Sequence, residues 1–138
     1  MPSVIIMAGG VGERFWPVSR KDMPKQFLKL YGNKTLLEYT YDRAKKIVSK
    51  ERIYIVTTEN FSNKIMELVP EISENNIIAE PVGRYTAPCL GYSVMLLLEK
   101  EGDDIITVLP ADHIILTEDR FIKEMFNDLD FMSKTDGI

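Results

Sequence analysis

The chain has 138 residues, enough for one domain with a sizeable core; 45% of them are hydrophobic and 28% are charged. The net charge of −4 and the lack of a long basic run argue against a nucleic-acid polymer or a membrane surface as partner. The single cysteine, Cys89, excludes an internal disulfide and indicates a reducing compartment. Since the first apolar run is too short for a signal peptide or a membrane span, we expect a cytoplasmic protein.

Four short apolar runs, rich in β-branched residues, predict four buried β-strands. In chain order they are Ser3–Ala8, Ile53–Thr57, Asn76–Ala79 and Ile105–Leu109. The first run ends in a glycine-rich segment, and the third and fourth runs lead into segments that carry charged residues. These three loops hold the candidate functional residues.

Helical patterns fill the intervals between the strands. Thr35 and Glu38 form a capping-box pattern that predicts a helix from residue 36 to about residue 49. Asn60 is the predicted cap of a shorter helix over residues 61–68.

The two later helical segments differ in polarity. Residues 86–100 are apolar on nearly every face, which predicts a buried helix. Residues 119–134 are amphipathic. The apolar side of this second segment contains Phe121, Ile122, Met125, Phe126 and Leu129.

The alternation of strands and helices predicts one α/β domain over residues 1–138, with a Rossmann-like, open, mainly parallel sheet and helices on both faces. Residues 136–138 look like a turn leading into a further strand, so we expect a truncated domain. Ligands bind at the carboxyl ends of the strands in such sheets, which is where the three loops lie.

The glycine-rich loop after the first strand is a candidate phosphate cradle, because glycines let backbone amides approach a phosphate. Gly10 and Gly12 fit the dinucleotide fingerprint, but Phe15 stands where its third glycine belongs. The Gly-Lys-Ser/Thr triplet of the Walker loop does not occur. On the glycines alone, a tight turn between a strand and a helix is the open alternative.

Basic side chains accompany this loop, and they are Arg14, Arg20, Lys21, Lys25 and Lys29. Arginine offers phosphate a planar fork of donors, and lysine offers a mobile point charge. Pro24 stiffens the backbone that presents Lys25. A solvated basic loop would explain the charges, but it would not explain why Trp16 and Pro17 occur among these basic residues.

Residues 9–27 read GGxGxRxWPxSRxxxPKQF, which resembles the signature of the sugar-1-phosphate nucleotidyltransferase family. The likeness is greatest to its mannose-1-phosphate guanylyltransferase members. It continues at residues 80–88 and at the Pro-Ala-Asp-His segment, residues 110–113, and it covers residues 1 to about 126.

The resemblance implies a role for each residue of the first loop. Arg14 and Lys25 are the expected catalytic residues: Arg14 would grip the β- and γ-phosphates, and Lys25 would stabilise charge around the α-phosphate. The other expected nucleotide-binding residues of this loop are Ala8, Gly9, Gly10, Gly12 and Glu13.

The second loop would lie beside the base and ribose. Glu80 would accept hydrogen bonds from the guanine edge, and Arg84 would serve the phosphates or orient the loop. Thr86, at the start of the following helix, is a further expected nucleotide-binding residue. A purely structural alternative, in which Glu80 pairs with Arg84 and Thr86 only caps, stays open. Tyr85 departs from the Asn or Asp that is usual in the family.

The third loop supplies the expected metal ligand. A lone aspartate after a strand is more often a helix cap, but the resemblance favours Asp112 as a ligand of Mg²⁺ that also contacts the nucleotide. His113, the only histidine, has no second histidine or cysteine nearby, so we interpret it as a loop residue.

The implied reaction converts GTP and α-D-mannose 1-phosphate into GDP-mannose and pyrophosphate, with Mg²⁺ as cofactor. The later half of a family member supplies the sugar-phosphate pocket, so we expect these residues alone to be weakly active or inactive. A homodimer is compatible with exposed apolar surface. The alternatives are a non-catalytic GTP-binding or regulatory module, another sugar-1-phosphate nucleotidyltransferase, and a NAD-binding half-domain.

Overall fold

The computed structural model describes residues 1–10, 17, 22–80 and 86–135. Its strands are β1 (Ser3–Met7), β2 (Ile53–Thr58), β3 (Ile77–Glu80) and β4 (Ile106–Pro110). Its helices are α1 (Leu36–Ala44), α2 (Ser62–Leu68), α3 (Thr86–Glu101) and α4 (Glu118–Ser133). All four predicted strands are present, and each end lies within one residue of its predicted position.

The four strands form one parallel sheet in the order β3-β2-β1-β4. The chain moves outward from β1 to β2 and β3, and α3 then carries it back across the sheet to place β4 on the other side of β1. The direction of winding therefore reverses between β1 and β4. In open α/β sheets, a crevice for ligands opens at the carboxyl ends of the strands at such a reversal.

Helices cover both faces of the sheet, as predicted. Alternate residues of the central strand point to opposite faces: Val4 and Ile6 join a core with residues of α1 and α2, whereas Ile5 packs with Cys89 and Leu97 of α3. Partly buried residues of α4 complete the first of these two cores. The predicted α/β architecture is confirmed.

The capping box of α1 is formed as predicted. Thr35 Oγ1 accepts a hydrogen bond from the Glu38 backbone N–H (3.2 Å), and a Glu38 carboxylate oxygen accepts one from the Thr35 N–H (2.7 Å). The predicted end of this helix near residue 49 is wrong. After Ala44 the chain tightens into a turn, which brings Ile47 back into the core, where it is 7% exposed.

The predicted cap at Asn60 is also wrong. Asn60 lies within a 3-10 turn, Glu59–Phe61, and Phe61 occupies the cap position of α2 without a capping side-chain bond. The ring of Phe61 instead packs edge-on against Phe27, with 5.2 Å between the ring centroids. Packing against this neighbouring ring, and not side-chain capping, therefore accompanies the start of α2.

The predicted burial of the two later helices needs correction. In α3 only Cys89, Ser93 and Leu97 are buried, and Met95 is 71% exposed. The reason is that α3 is the one helix packed on its face of the sheet within the described ranges, so its outer side faces solvent. In α4 the apolar side packs as predicted except for Phe126, which is 48% exposed.

No helix within the described ranges has the length and apolarity needed to cross a bilayer.

We expect Thr35→Ala to lower the free energy of unfolding by about 1 kcal/mol, because it removes the hydroxyl that caps α1. Urea denaturation followed by circular dichroism measures this loss. Thr117→Ala is the matched control, since Thr117 occupies the cap position of α4 without a side-chain capping bond. Equal losses in the two variants would contradict this account of the cap.

Candidate active site

The loop after β1 is held against the sheet at its first residue. The Ala8 N–H donates to the Val56 carbonyl oxygen at 2.8 Å, and Ala8 is buried. Gly10 is exposed, and a Cβ built on it would meet no atom within 4 Å. The glycine backbone therefore borders open space at the carboxyl edge of the sheet.

A buried amide side chain tethers this loop. Gln26 Nε2 donates to the carbonyl oxygens of Ala8 (2.8 Å) and Gly10 (3.1 Å), and the Gln26 residue is only 4% exposed. A buried carbonyl oxygen that loses its donor costs free energy, so these bonds stabilise one arrangement of the glycine backbone. The sequence argument quoted Gln26 within the family motif but gave it no role.

The same tether fixes the position of Lys25. Residues Lys25–Phe27 form a 3-10 turn in which the Phe27 N–H donates to the Pro24 carbonyl oxygen (3.0 Å). Both Gln26 and Phe27 are buried, which anchors the turn on the core. Lys25 is the one residue of this turn that is not buried, and its side chain is 21% exposed.

Lys25 and Asp112 meet across the β1–β4 crevice. Lys25 Nζ lies 3.6 Å from Asp112 Oδ2, and the Lys25 side chain is the less exposed of the two, at 21% against 42%. The position of Asp112 follows from the sheet, since the Ala111 N–H donates to the Met7 carbonyl oxygen (3.1 Å). His113 Nε2 lies 3.6 Å from the other Asp112 oxygen, with its side chain 64% exposed. His113 is a loop residue beside the carboxylate, as expected.

A cavity of about 470 Å³ opens beside this ion pair. Its lining residues are Lys25, Leu30, Leu36, Asp112, His113, Ile114 and Ile115. A second cavity, of about 370 Å³, lies between β3 and α3 and is lined by none of the predicted site residues that the structure describes. The first cavity is the one that adjoins the predicted catalytic residue and the predicted metal ligand.

Glu80 ends β3 on the face of the sheet that α3 covers. This carboxylate residue is only 6% exposed, and Cys89, in the first turn of α3, is buried on the same face of the sheet. Burial, together with this carboxylate, raises the pKa of the Cys89 thiol to about 12. The thiol is therefore neutral near pH 7.

The described site residues occupy two separate positions along the carboxyl edge. Neighbouring strands lie about 4.8 Å apart, so the ends of β3 and β4, three spacings apart, are separated by roughly 14 Å. Glu80 therefore does not contact the Lys25–Asp112 pair, and Thr86 is an exposed residue at the start of α3. A nucleoside triphosphate is long enough to span both positions. Gly12, Glu13, Arg14 and Arg84 lie outside the described residues.

The donor set around Asp112 is compatible with a magnesium ion that is shared with phosphates. Mg²⁺ is usually held by one or two carboxylates together with waters and substrate phosphates, not by a cage of protein ligands. Within residues 1–10, 17, 22–80 and 86–135 no group of three potential metal ligands occurs. Asp112 is half-exposed, so it can provide one such carboxylate.

We expect the substitution Gln26→Met, which keeps the length of the side chain but removes its donors, to lower the free energy of unfolding by about 1–3 kcal/mol. The reason is that the Gly10 carbonyl oxygen loses the Gln26 donor and the Ala8 carbonyl oxygen keeps only the longer bond from Thr57 Oγ1 (3.4 Å). Urea denaturation measures this loss, and Leu30→Met, at an exposed residue nearby, is the control. If Gln26→Met and the unsubstituted chain unfolded at the same midpoint urea concentration, the hydrogen bonds of Gln26 would be unimportant for stability.

Relatives of this chain share both its sequence and its fold. Residues 3–129 match the nucleotidyl transferase family. A mannose-1-phosphate guanylyltransferase from Salmonella muenchen is 37% identical over 123 residues, which are 86% of this chain and 26% of that protein. Mannose-1-phosphate guanylyltransferase 2 from Escherichia coli O157:H7 is 39% identical over 127 residues, which are 89% of this chain and 26% of that protein.

Solved structures give the same result for the fold. The crystal structure of mannose-1-phosphate geranyltransferase from Thermus thermophilus superposes with a TM-score of 0.84 at 34% identity, covering 96% of this chain and 38% of that one. Mannose-6-phosphate isomerase from Helicobacter pylori, at 24% identity and a TM-score of 0.74, shares the fold. This chain spans about a quarter of the length of the curated relatives it matches. Because the family match extends over residues 3–129, the chain belongs to the nucleotidyl transferase family.

Proposed function

We propose that this chain carries the nucleotide site of a mannose-1-phosphate guanylyltransferase, which forms GDP-mannose and pyrophosphate from GTP and α-D-mannose 1-phosphate. The observation that supports this most directly is the meeting of Lys25 and Asp112 beside the tethered glycine loop, at the reversal between β1 and β4. We infer the sugar, mannose, and the base, guanine, from the names of the curated relatives.

The proposed chemistry is a direct transfer between phosphates. An oxygen of the sugar phosphate attacks the α-phosphorus of GTP, a new P–O bond forms, and the bond from the α-phosphorus to the bridging oxygen of the pyrophosphate breaks. The attacking oxygen is already anionic, so no residue is needed to remove a proton. Catalysis then consists of positioning and charge stabilisation.

Lys25 fits the role of the charge donor. Its ammonium group is presented by a turn whose other residues are buried, so its position is set before the ligand arrives. Preorganised cations of this kind stabilise charge that develops on transferring phosphoryl groups. The ion pair with Asp112 holds the ammonium group at the crevice when no nucleotide is bound.

Asp112 fits the role of a ligand to Mg²⁺. The ion, when bound, would supply positive charge that neutralises part of the charge of the phosphates. The carboxylate is half-exposed at the end of β4 and touches Lys25, so the metal ligand and the charge donor would face the same phosphates.

Glu80 fits the role of the base-reading residue. An ionised carboxylate has about four acceptor positions. Buried polar groups usually have their hydrogen bonds satisfied, so the buried carboxylate of Glu80 suits a ligand that brings donors. The Watson–Crick edge of guanine offers two, the N1–H and the 2-amino group.

The nucleotide preference can be tested by thermal unfolding of the chain with GTP, ATP, CTP or dTTP in the presence of Mg²⁺. We expect GTP to raise Tm selectively. At a concentration of about one hundred times Kd, a ligand stabilises by about 2.7 kcal/mol, which corresponds to roughly 10 °C for a domain of this size. Equal shifts for all four nucleotides would contradict the assignment to guanine.

In a protein that contains these residues together with a sugar-phosphate pocket, we expect Lys25→Ala to slow GDP-mannose formation by about two orders of magnitude, as the loss of one preorganised donor does. The same variant should bind Mg²⁺·GTP about tenfold more weakly, since a phosphate contact is lost; isothermal calorimetry measures this directly. Lys50→Ala is the matched control, because Lys50 is exposed beside the amino end of β2, at the opposite edge of the sheet. Near-normal turnover of Lys25→Ala would rule out the assigned role.

A further inference from the structure

The Gln26 side chain takes the place of a neighbouring strand where the glycine loop leaves the sheet. The Ala8 N–H still donates to the Val56 carbonyl oxygen, but within the described residues no backbone hydrogen bond reaches Gly9 or Gly10. Gln26 Nε2 instead donates to the carbonyl oxygens of Ala8 (2.8 Å) and Gly10 (3.1 Å). Because one nitrogen atom binds both oxygens, the two carbonyl groups face the same side of the loop.

The direction of the Gly9 N–H follows from the peptide group that joins it to Ala8. The Ala8 N–H donates to Val56 of β2, and the Ala8 carbonyl oxygen accepts from Thr57 Oγ1 of the same strand at 3.4 Å. The Ala8 carbonyl group therefore faces β2. In a planar trans peptide group the carbonyl and the N–H point in opposite directions, so the Gly9 N–H faces away from β2, into the crevice between β1 and β4.

The Gly9 N–H is available to a ligand in that crevice. Within the described residues no acceptor reaches it. A Cβ built on Gly9 would have only the Thr57 Cα within reach, at 4.0 Å, so a ligand can approach the backbone closely. Lys25 Nζ and Asp112 Oδ2 lie 3.6 Å apart at the same crevice. A backbone amide without a protein partner here can donate to an acceptor that a bound nucleotide supplies.

Gln26 itself is placed to act only through the backbone. Its residue is 4% exposed, and both hydrogens of its amide group are engaged by the two carbonyl oxygens of the loop. The preceding residue of the same 3-10 turn is Lys25. One turn of the chain therefore holds both the ammonium group and the orientation of the glycine backbone.

We propose that Gln26 is a positioning residue for nucleotide binding, whose side-chain amide holds the Ala8 and Gly10 carbonyl oxygens so that the Gly9 N–H donates to the bound nucleotide. This inference rests on the proposed function, because it takes the crevice between β1 and β4 as the nucleotide site. The acceptor is a phosphate oxygen or an acceptor atom of the nucleoside.

The alternative is that Gln26 only stabilises the domain, and Asn76 provides the matched comparison. The Asn76 residue is 5% exposed, and its side-chain amide also donates to two backbone carbonyl oxygens, those of Glu51 (2.9 Å) and Ile53 (3.0 Å). These carbonyl groups lie at the amino end of β2, at the opposite edge of the sheet from the crevice. Gln26→Met and Asn76→Leu each replace a buried bridging amide with an apolar side chain of similar size.

The first measurement is calorimetric titration of the chain and both variants with Mg²⁺·GTP, at a temperature where circular dichroism shows each to be folded. We expect Gln26→Met to bind about tenfold more weakly, because one hydrogen bond to the nucleotide is lost. Asn76→Leu should bind as tightly as the unsubstituted chain, although it is less stable.

Titration with inorganic triphosphate and Mg²⁺ identifies the acceptor. A tenfold loss for both probes in Gln26→Met would support a bond from the Gly9 N–H to the phosphates. A tenfold loss for GTP alone would support a bond to the nucleoside.

The second measurement needs no substitution. Amide hydrogen exchange, followed by NMR on the ¹⁵N-labelled chain, should show rapid exchange of the Gly9 N–H in the free chain. Saturating Mg²⁺·GTP should slow this exchange, because a hydrogen bond to the ligand protects the amide. The Ala8 N–H is the internal reference: it is already bonded to Val56 and should be protected in both states.

The outcomes distinguish the inference from the function on which it rests. An unsubstituted chain that does not bind Mg²⁺·GTP would overturn the proposed function, and the role of Gln26 with it. Binding that leaves the exchange of the Gly9 N–H unchanged would overturn only the role of Gln26. A folded Gln26→Met chain with full affinity would do the same, as would an equal loss of affinity in Asn76→Leu. If Gln26→Met does not fold, the exchange of the Gly9 N–H decides.

Discussion

The site depends on the hydrogen bonding of the central strand β1 to parallel strands on both of its sides. Those ladders extend past the end of the strand: the Ala8 N–H donates to Val56, and the Met7 carbonyl oxygen accepts from Ala111. The glycine loop and the Asp112 loop therefore begin at positions that the sheet fixes. With Ala8 and Ala111 both 1% exposed, neither loop can shift without disturbing the core.

Charge and hydrogen-bonding capacity are distributed along the carboxyl edge in a way that suits a long ligand with two different ends. The Lys25–Asp112 pair suits phosphates, alone or with a metal ion, and the buried carboxylate of Glu80 suits a group rich in donors. These positions lie on β4 and β3, at opposite sides of the sheet. A nucleotide lying across the ends of the strands would satisfy both.

Local patterns in the sequence were sufficient for the strands and for the capping box of α1, since β-branched runs and the Thr35–Glu38 spacing act over a few residues. The strand order was not predicted, because it depends on contacts distant in the chain. The burial of α3 was wrong for the same reason: apolar residues such as Met95 cannot reveal which side will find a packing partner. For the candidate site, the motif pointed to Lys25 and Asp112, which the structure places together, but the role of Gln26 follows only from its buried contacts.

The most direct test of the account is an NMR titration of the ¹⁵N-labelled chain with Mg²⁺·GTP. The account predicts that the largest shifts of backbone amides occur in residues 8–10, 25–26 and 111–113, with a second group at residue 80 and residues 86–89. The cavity between β3 and α3 provides the internal comparison, since it is lined by Asn75, Tyr92 and Lys100. The largest shifts around those three residues, with none at the ends of β1 and β4, would contradict the account.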